Sequence, residues 1–530
     1  MNYKKLKLIN YHINLSKEGI SFRPFTDKNK NVGFNFYVYQ DSEVRIFLQT
    51  SVIDEDIIDS FFIKISSNFI DNIKDCYDYI FESFQLFVWS KQKKQLITIV
   101  DYLGVGSNYV LKGEDDTYVF FSNFLFLEKL GSQLKLSINN LYTYLLLGYQ
   151  VKPMELPYKN VSSHQGSTVY NYSCNKYSIN KIKVDSSELK IKKIATTIKN
   201  NYKVSSVNNK LFFGATAGKD SLALMSLINE TDITFIAGNF GHVLSDDVIQ
   251  GEKISSYLDL TYTHCKNVDG KEFQYYSNEI ASISGGLSTC SYVDMLKFID
   301  TTIPVDYTYV MGEAGECYRD FFENNKEISS SIEKYITPSK FLEQCLYISK
   351  HKINNLKNKL FEDINTFYKG NSVSEILRDF YCNGRMPGNF SNRTKLINRY
   401  RNKSAPFLNL NLLKNISNLS DELFQDDTIH RELIKSKKSN EWFTFFEEPF
   451  KSNFDSQNWD ERIKGDIGKS IKNIIDNMCI VSENLINKKG LNKLLTDEIT
   501  KPSRGIYFIL RIISVICFID KNHKYIKLIN

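Results

Sequence analysis

Residues 211–221 read Leu211-Phe212-Phe213-Gly214-Ala215-Thr216-Ala217-Gly218-Lys219-Asp220-Ser221, an apolar run followed by a turn of small residues and then by a helical stretch. Three bulky apolar residues in succession predict a strand buried on both faces, and a strand, a short turn and a helix in that order open an α/β unit. Small residues let backbone N–H groups approach oxyanions closely, and the helix that follows turns its positive end toward them. Lys219 and Asp220 add a cation and a metal ligand. The stretch reads as a phosphate cradle, with an ordinary strand-to-helix turn as the plain alternative.

Outward from this turn the alternation continues. Helix 188–202, strand 211–214, helix 221–228, strand 233–237, helix 246–258 and strand 307–311 predict a doubly wound parallel sheet covered on both faces. Upstream the rhythm differs. Short apolar or alternating runs at 36–39, 44–48, 86–89, 96–100 and 118–121 are strand signals, with helical patterns over 57–81 and 141–147. This half reads as an α+β, β-rich layered domain. The polar stretch 176–187 carries the boundary, giving domains 1–185 and 186–530; within the second, the lysine-rich run 323–380, with no glycine between Gly315 and Gly370, reads as a helical insertion or lid.

The chain has 530 residues, enough for two or three domains and substantial cores. Its net charge of +6 comes from 67 basic and 61 acidic residues with the lysines scattered, so no nucleic-acid partner is expected. Nine cysteines without a C-x-x-C pair point to a reducing, cytoplasmic setting without structural zinc. No apolar signal segment follows Met1, and the apolar run 506–519 is short and carries Arg511, which predicts a buried helix and no membrane span.

Two kinds of phosphate loop compete for residues 214–221. A Walker A loop needs four residues between its glycines and a hydroxyl after its lysine; here Gly214 and Gly218 enclose three, and Asp220 follows Lys219. Residues 216–221 instead resemble the S-G-G-x-D-S loop of ATP pyrophosphatases, with Thr216 for Ser and Ala217 for Gly. A second segment, Met311-Gly312-Glu313-Ala314-Gly315-Glu316-Cys317-Tyr318-Arg319, follows the strand 307–310, where acidic residues can meet the first loop across the crevice at the carboxyl ends of the strands.

Together these motifs resemble the synthetase domain of the asparagine synthetase family. Residues 233–239, 245–248 and His264 resemble the family's next strand, helix start and histidine, and 312–316 its second signature, G-[DE]-G-x-D-E. Gly315 then stands where that family has a metal-binding aspartate, leaving Glu316 or Glu313 for the ion. Arg385, Asn392, Arg393 and the run 404–409 resemble the segment ending in R-x-P-F-L-D, with Ser404 and Asn409 as departures. In the first half, Trp89, Leu96, Asp101 and Gly104 fall in register with the glutaminase-domain pattern, and 120–122, 141–149 and Gly166 follow in order.

The resemblance implies an Ntn-hydrolase-like domain followed by an ATP-pyrophosphatase domain. It implies ATP held by Thr216, Ala217, Gly218, Lys219, Asp220, Ser221 and Gly312, and Mg2+ held by Asp220 with Glu316 or Glu313. The chain opens Met1-Asn2-Tyr3 and its first cysteine is Cys76, so the amino-terminal cysteine nucleophile of the glutaminase is expected to be missing. In this it resembles β-lactam synthetases and lasso peptide cyclases. The implied activity is AMP- and pyrophosphate-forming activation of a small-molecule or peptide carboxylate, followed by amide formation with an amine or ammonia. A precursor peptide or a second copy of the chain are the macromolecular partners this allows. A catalytically inactive nucleotide-binding homologue and a Walker-type ATPase are the competing readings. Ser284-Gly285-Gly286-Leu287-Ser288 mimics a second phosphate loop and is read as a flexible active-site loop; His242 and His264 are read as structural, and Lys435, Lys437 and Lys438 as a solvated face.

Overall fold

The computed structural model describes residues 3–529 apart from 17, 27–33, 53, 68–81, 114–116, 131, 153, 174–175, 182–190, 207, 229–232, 320, 323–326, 414–420, 425–426, 436–443 and 446–456. The fold is mixed α/β: two antiparallel sheets, one parallel sheet and many helices.

The amino-terminal strands alternate with a period of two, and each alternate set finds a different core. Phe34, Phe36, Phe47, Phe87 and Trp89 face one way, into a core shared with Tyr11, Ile13, Val110, Tyr118 and Phe120 of the second sheet. Tyr37, Ile46, Leu48, Leu86 and Val88 face the other way, onto Ile58, Phe61, Phe62 and Ile65 of the helix Glu55–Ser67. Tyr109, Leu111, Val119 and Phe121, on the far face of the second sheet, join the large core of the rest of the chain. The result is a helix–sheet–sheet–helix stack of one seven-stranded and one five-stranded antiparallel sheet.

Trp89 and Leu96 are direct cross-strand partners. Asp101 is buried and accepts from the backbone N–H groups of Val105 (3.0 Å) and Gly106 (2.5 Å). Gly104 has φ +75°, and a Cβ there would lie 2.9 Å from the Gly166 nitrogen, so these two glycines stand back to back where two loops cross. Cys76 lies outside the described residues.

Two histidines of this domain are buried. The His164 ring packs against Tyr170, tilted, with centroids 4.2 Å apart, and its Nε2 lies 2.9 Å from the Tyr172 hydroxyl; burial pulls its pKa down to about 3. Burial, helped by Arg23, brings His12 to about 4. Each binds its proton more tightly when unfolded, so the stability it contributes is complete above its unfolded pKa near 6.5 and is lost as pH falls toward the folded value. Asp101, raised to about 6 by burial, acts in the opposite sense. Urea unfolding of the His164→Gln variant at pH 7 and pH 5 should show a loss about 2 kcal/mol smaller than wild type suffers over the same interval; an unchanged loss would mean that His164 is not held neutral.

The parallel sheet runs in the order Thr261–Cys265, Thr234–Phe240, Lys210–Gly214, Thr308–Val310, Lys403–Ser404. The expected helix 188–202 appears as Ile191–Ser205, and residues 182–190, which hold most of the expected boundary, lie outside the described residues. The helix expected at 221–228 begins earlier, at Lys219, and ends at Met225. The insertion is helical where described, but it is anchored: Lys152 pairs with Asp363 at 2.8 Å, and the Tyr368 hydroxyl bonds the Val151 carbonyl.

The apolar helix Gly505–Asn522 is buried against Gly270–Ser284, and Arg511 donates to the Leu145 carbonyl (2.8 Å) and Thr337 Oγ1 (3.1 Å). Among the described residues no helix is long and apolar enough to cross a membrane. The described cysteines are free thiols.

Candidate active site

In the parallel sheet the strand order reverses between Lys210–Gly214 and Thr308–Val310, and the loops after these two strands are the two segments singled out from sequence. Such a reversal opens a crevice at the carboxyl ends of the strands. Leu211, Phe212 and Phe213 are buried and hold the first loop in place. Within it, Thr216 Oγ1 donates to Ser221 Oγ (3.0 Å) and accepts from the Gly218 N–H (3.1 Å), while the Ala217 N–H donates to Asp247 Oδ1 (3.1 Å). Ala217 is not among the residues with positive φ, so replacing a glycine there strains nothing. Helix Lys219–Met225 starts from Gly218 with no side-chain cap.

The backbone strain sits in the second loop. Ala314 is fully buried with φ +71°, a left-handed conformation costing about 1–2 kcal/mol for a residue with a Cβ. It turns the chain into the tight helical turn Gly315–Tyr318. A Cβ on Gly312 would lie 2.6 Å from Asp220 Cβ, and one on Gly315 2.4 Å from Asp220 Oδ1. The two loops are therefore in contact through Asp220, and an aspartate at 315 would overlap it.

Around Asp220 stand groups that the sequence reading did not assemble. Arg319 Nη2 is 3.8 Å from Asp220 Oδ2, and Arg319 Nη1 is 3.2 Å from Asp427 Oδ1. Lys219 Nζ pairs with Asp427 Oδ2. His430, fully buried, places Nε2 2.8 Å from Asp220 Oδ1, out of line for a hydrogen bond. Burial, then the Asp220 charge, raises the Glu316 pKa. Burial also pushes Asp427 upward, but Lys219 and Arg319 outweigh it and hold that carboxyl below its usual range. Asp427, with φ +54°, directly precedes helix Thr428–Lys435, which carries His430; nothing in the local sequence says which side of that helix meets the loop.

Glu313, expected as an alternative metal ligand, is committed elsewhere. It has no exposed side-chain surface; Oε1 accepts from Arg393 Nε at 3.1 Å and Oε2 pairs with Lys403 Nζ. Lys403 also donates to Thr394 Oγ1 (2.6 Å), and its charge acts on Glu82. Glu82 is buried where the two halves meet, accepting from Ser51 Oγ (3.0 Å), Ser404 Oγ (2.8 Å), Ser205 Oγ (3.3 Å) and the Ala405 N–H (3.3 Å). Asn392 and Asn409 likewise serve the interior: Asn392 Oδ1 accepts from the Tyr109 hydroxyl at 2.6 Å, and Asn409 Nδ2 donates to Asn201 Oδ1 at 2.8 Å.

Beside Glu316 and Arg319 a narrow cleft is walled by Phe321, Phe322, Leu377 and Tyr381. Tyr381 opens a ten-residue π-helix, Tyr381–Phe390, a rare element frequent at functional sites. The Tyr381 hydroxyl is buried with no hydrogen-bond partner, as are Nε and Nη1 of Arg385, whose guanidinium lies 4.0 Å over the Phe321 ring. The Gly285–Gly286 pair is not a flexible loop. Both glycines are left-handed (φ +69° and +76°) and terminate the helix Gly270–Ser284, buried against Phe124 and Val515. His264 Nε2 lies 2.9 Å from the Gly241 carbonyl and His242 Nδ1 accepts from the Leu244 N–H (3.2 Å). Lys435 pairs with Glu432; Lys437 and Lys438 lie outside the described residues.

A magnesium ion would find two hard oxygens here. Asp220 Oδ1 and Glu316 Oε2 are buried without a hydrogen-bond donor. Among the described residues no group of three or more His, Cys, Asp and Glu is arranged to hold a metal, so these two fit an ion that completes its shell with phosphate oxygens and water, the usual habit of magnesium.

No family model matches the chain, and no curated protein does. Among solved structures, the chain is similar to a glutamine phosphoribosylpyrophosphate amidotransferase from B. subtilis, complexed with ADP and GMP, at 7% identity and a TM-score of 0.20. That match covers 49% of this chain and 60% of that one. At this level of superposition the likeness carries no argument about activity.

Proposed function

We propose that the chain is an ATP-dependent, AMP- and pyrophosphate-forming ligase of the asparagine-synthetase kind, with an Ntn-hydrolase-like first domain. One observation carries the reading: the 216–221 turn and the 312–316 turn come from the two strands flanking the sheet reversal and meet at Asp220, with carboxylate oxygens of Asp220 and Glu316 buried and lacking donors. The glycine spacing and Asp220 depart from a Walker A loop, and the resemblance of residues 216–221 to the ATP-pyrophosphatase loop supports release of pyrophosphate.

In this reading the loop amides and Lys219 steady the departing pyrophosphate. Asp220 and Glu316 would hold Mg2+, which supplies charge neutralisation at the phosphates when bound. Arg319 bridges Asp220 and Asp427, so that the acidic cluster stays compact. An amine or ammonia from outside the active site then attacks the acyl-adenylate.

Acid-dependent exchange of radiolabelled pyrophosphate into ATP tests the reading. Exchange with at least one acid of a panel of amino, aliphatic and peptide carboxylates is the expected result. Release of ADP and phosphate in its place would establish the Walker-type alternative, and ATP binding without exchange across the panel would favour the inactive homologue.

A further inference from the structure

Two cations from different loops reach one carboxylate that belongs to neither loop. Lys219 opens the helix Lys219–Met225 that follows the 216–221 turn, Arg319 directly follows the helical turn Gly315–Tyr318, and both meet Asp427. Arg319 Nη1 donates to Asp427 Oδ1 at 3.2 Å, and Lys219 Nζ pairs with Oδ2. Each oxygen of Asp427 thus has its own cation, which makes this carboxylate a poor ligand for a metal. Asp220 Oδ1 and Glu316 Oε2, which have no donor, differ from it in this respect.

A carboxylate held between an ammonium and a guanidinium sits where a phosphate oxygen would be held equally well, because both cations bind either oxyanion through charge-assisted hydrogen bonds. The loops that carry the two cations meet at Asp220, so an anion seated on the 216–221 turn competes with Asp427 for them. The contest is unequal. Lys219 keeps 40% of its side-chain surface exposed, and an ion pair with that access to water is weak. Pyrophosphate brings several negative charges and can also take the backbone N–H groups of the turn. Asp427 has φ +54° immediately before the helix Thr428–Lys435. A residue with a Cβ keeps such a backbone while its surroundings hold it there, and Lys219 and Arg319 are partners that do so.

Granted the ATP-pyrophosphatase reading of the 216–221 turn, on which this depends, we propose that Lys219 and Arg319 together grip pyrophosphate and that Asp427 is their internal competitor, displaced when the anion binds. Arg319 then exchanges Asp427 for a phosphate oxygen while still facing Asp220, and the start of helix Thr428–Lys435 loses its two ionic anchors.

The test titrates the full chain with inorganic pyrophosphate in the presence of Mg2+ by calorimetry, and follows amide hydrogen exchange over residues 428–435. Asp427→Asn should bind pyrophosphate about tenfold more tightly than wild type, the factor expected if Asp427 holds the cations in about nine molecules of ten. Arg319→Met should bind it about tenfold or more weakly. The gain from Asp427→Asn should shrink in a Lys219→Met background, because the two residues act as a pair. In wild type, pyrophosphate should speed exchange over 428–435, a response that a through-space charge effect of Asp427 would not give. If Asp427→Asn binds pyrophosphate no more tightly than wild type, or exchange over 428–435 stays the same or slows on binding, Asp427 is a fixed support for Lys219; the competition is then overturned while the pyrophosphate reading stands. Undiminished binding by Arg319→Met would remove Arg319 from the site and overturn the paired grip. Pyrophosphate bound by neither wild type nor Asp427→Asn would overturn this inference and the reading beneath it together.

Discussion

Asp220→Asn should lower acid-dependent pyrophosphate exchange by about 10³-fold, the size of effect seen when a preorganised charge-stabilising group is removed from a reaction centre, while urea unfolding stays near wild type. The side chain is where the two loops touch, and asparagine keeps its shape, so the clearance provided by Gly312 and Gly315 is preserved. What changes is charge. Asp220 keeps one carboxylate oxygen without a donor, faces Arg319, and is, after burial, the main cause of the raised Glu316 pKa. Removing its charge should therefore also lower the Glu316 pKa, shifting the acidic limb of residual activity to lower pH. Undiminished exchange would refute the assignment of Asp220. Loss of exchange with collapse of the fold would make the residue structural, and Gly315→Ala, which crowds the same carboxylate without removing it, would then serve as the second probe.

Lys403→Met should destabilise the chain by about 3–5 kcal/mol, because it leaves a buried carboxylate short of its counter-charge. Glu313 has no exposed side-chain surface and shares its charge between Arg393 and Lys403. The same ammonium acts on Glu82, the buried acceptor that joins Ser51 of the first domain to Ser205, Ser404 and Ala405 of the second. Both halves of the molecule should thus lose stability together, seen as one shifted urea transition. Adding Glu313→Gln should recover part of the loss, since partners in one network are not additive. Additive effects would show that Lys403 and Glu313 do not act as a pair.

Much of the scaffold was legible because it is written in local patterns. Leu211-Phe212-Phe213 is the buried strand its composition predicts, flanked in the sheet by the strands expected nearby. Alternation in the first half marked strands whose two faces enter different cores. The site was legible only in part. Gly-Glu-Ala-Gly-Glu contains two glutamates three apart, and its spelling does not say which one turns to Asp220. The left-handed Ala314 between them decides that: Glu316 goes to the loop and Glu313 to Arg393 and Lys403. Likewise Ser284-Gly285-Gly286 spells a loop, but Phe124 and the carboxyl-terminal helix pack against it and make it a helix stop. The strand Ile526–Ile529 is too short to stand out, and its partner, Leu134–Ser137, is remote from it in the chain.

The sequence alone determined the class of each half, the place of the small-residue turn after the buried strand 211–213 and the position of Asp220 within it. Those follow from periodicity, glycine spacing and residue chemistry, which act over a few neighbours. Only the tertiary structure decided which charges face one another: Asp220 with Glu316, Arg319 and His430, and Glu313 with Lys403. A charged side chain is placed by what is buried around it and by the counter-charge that burial demands, and both are supplied by segments remote in the chain.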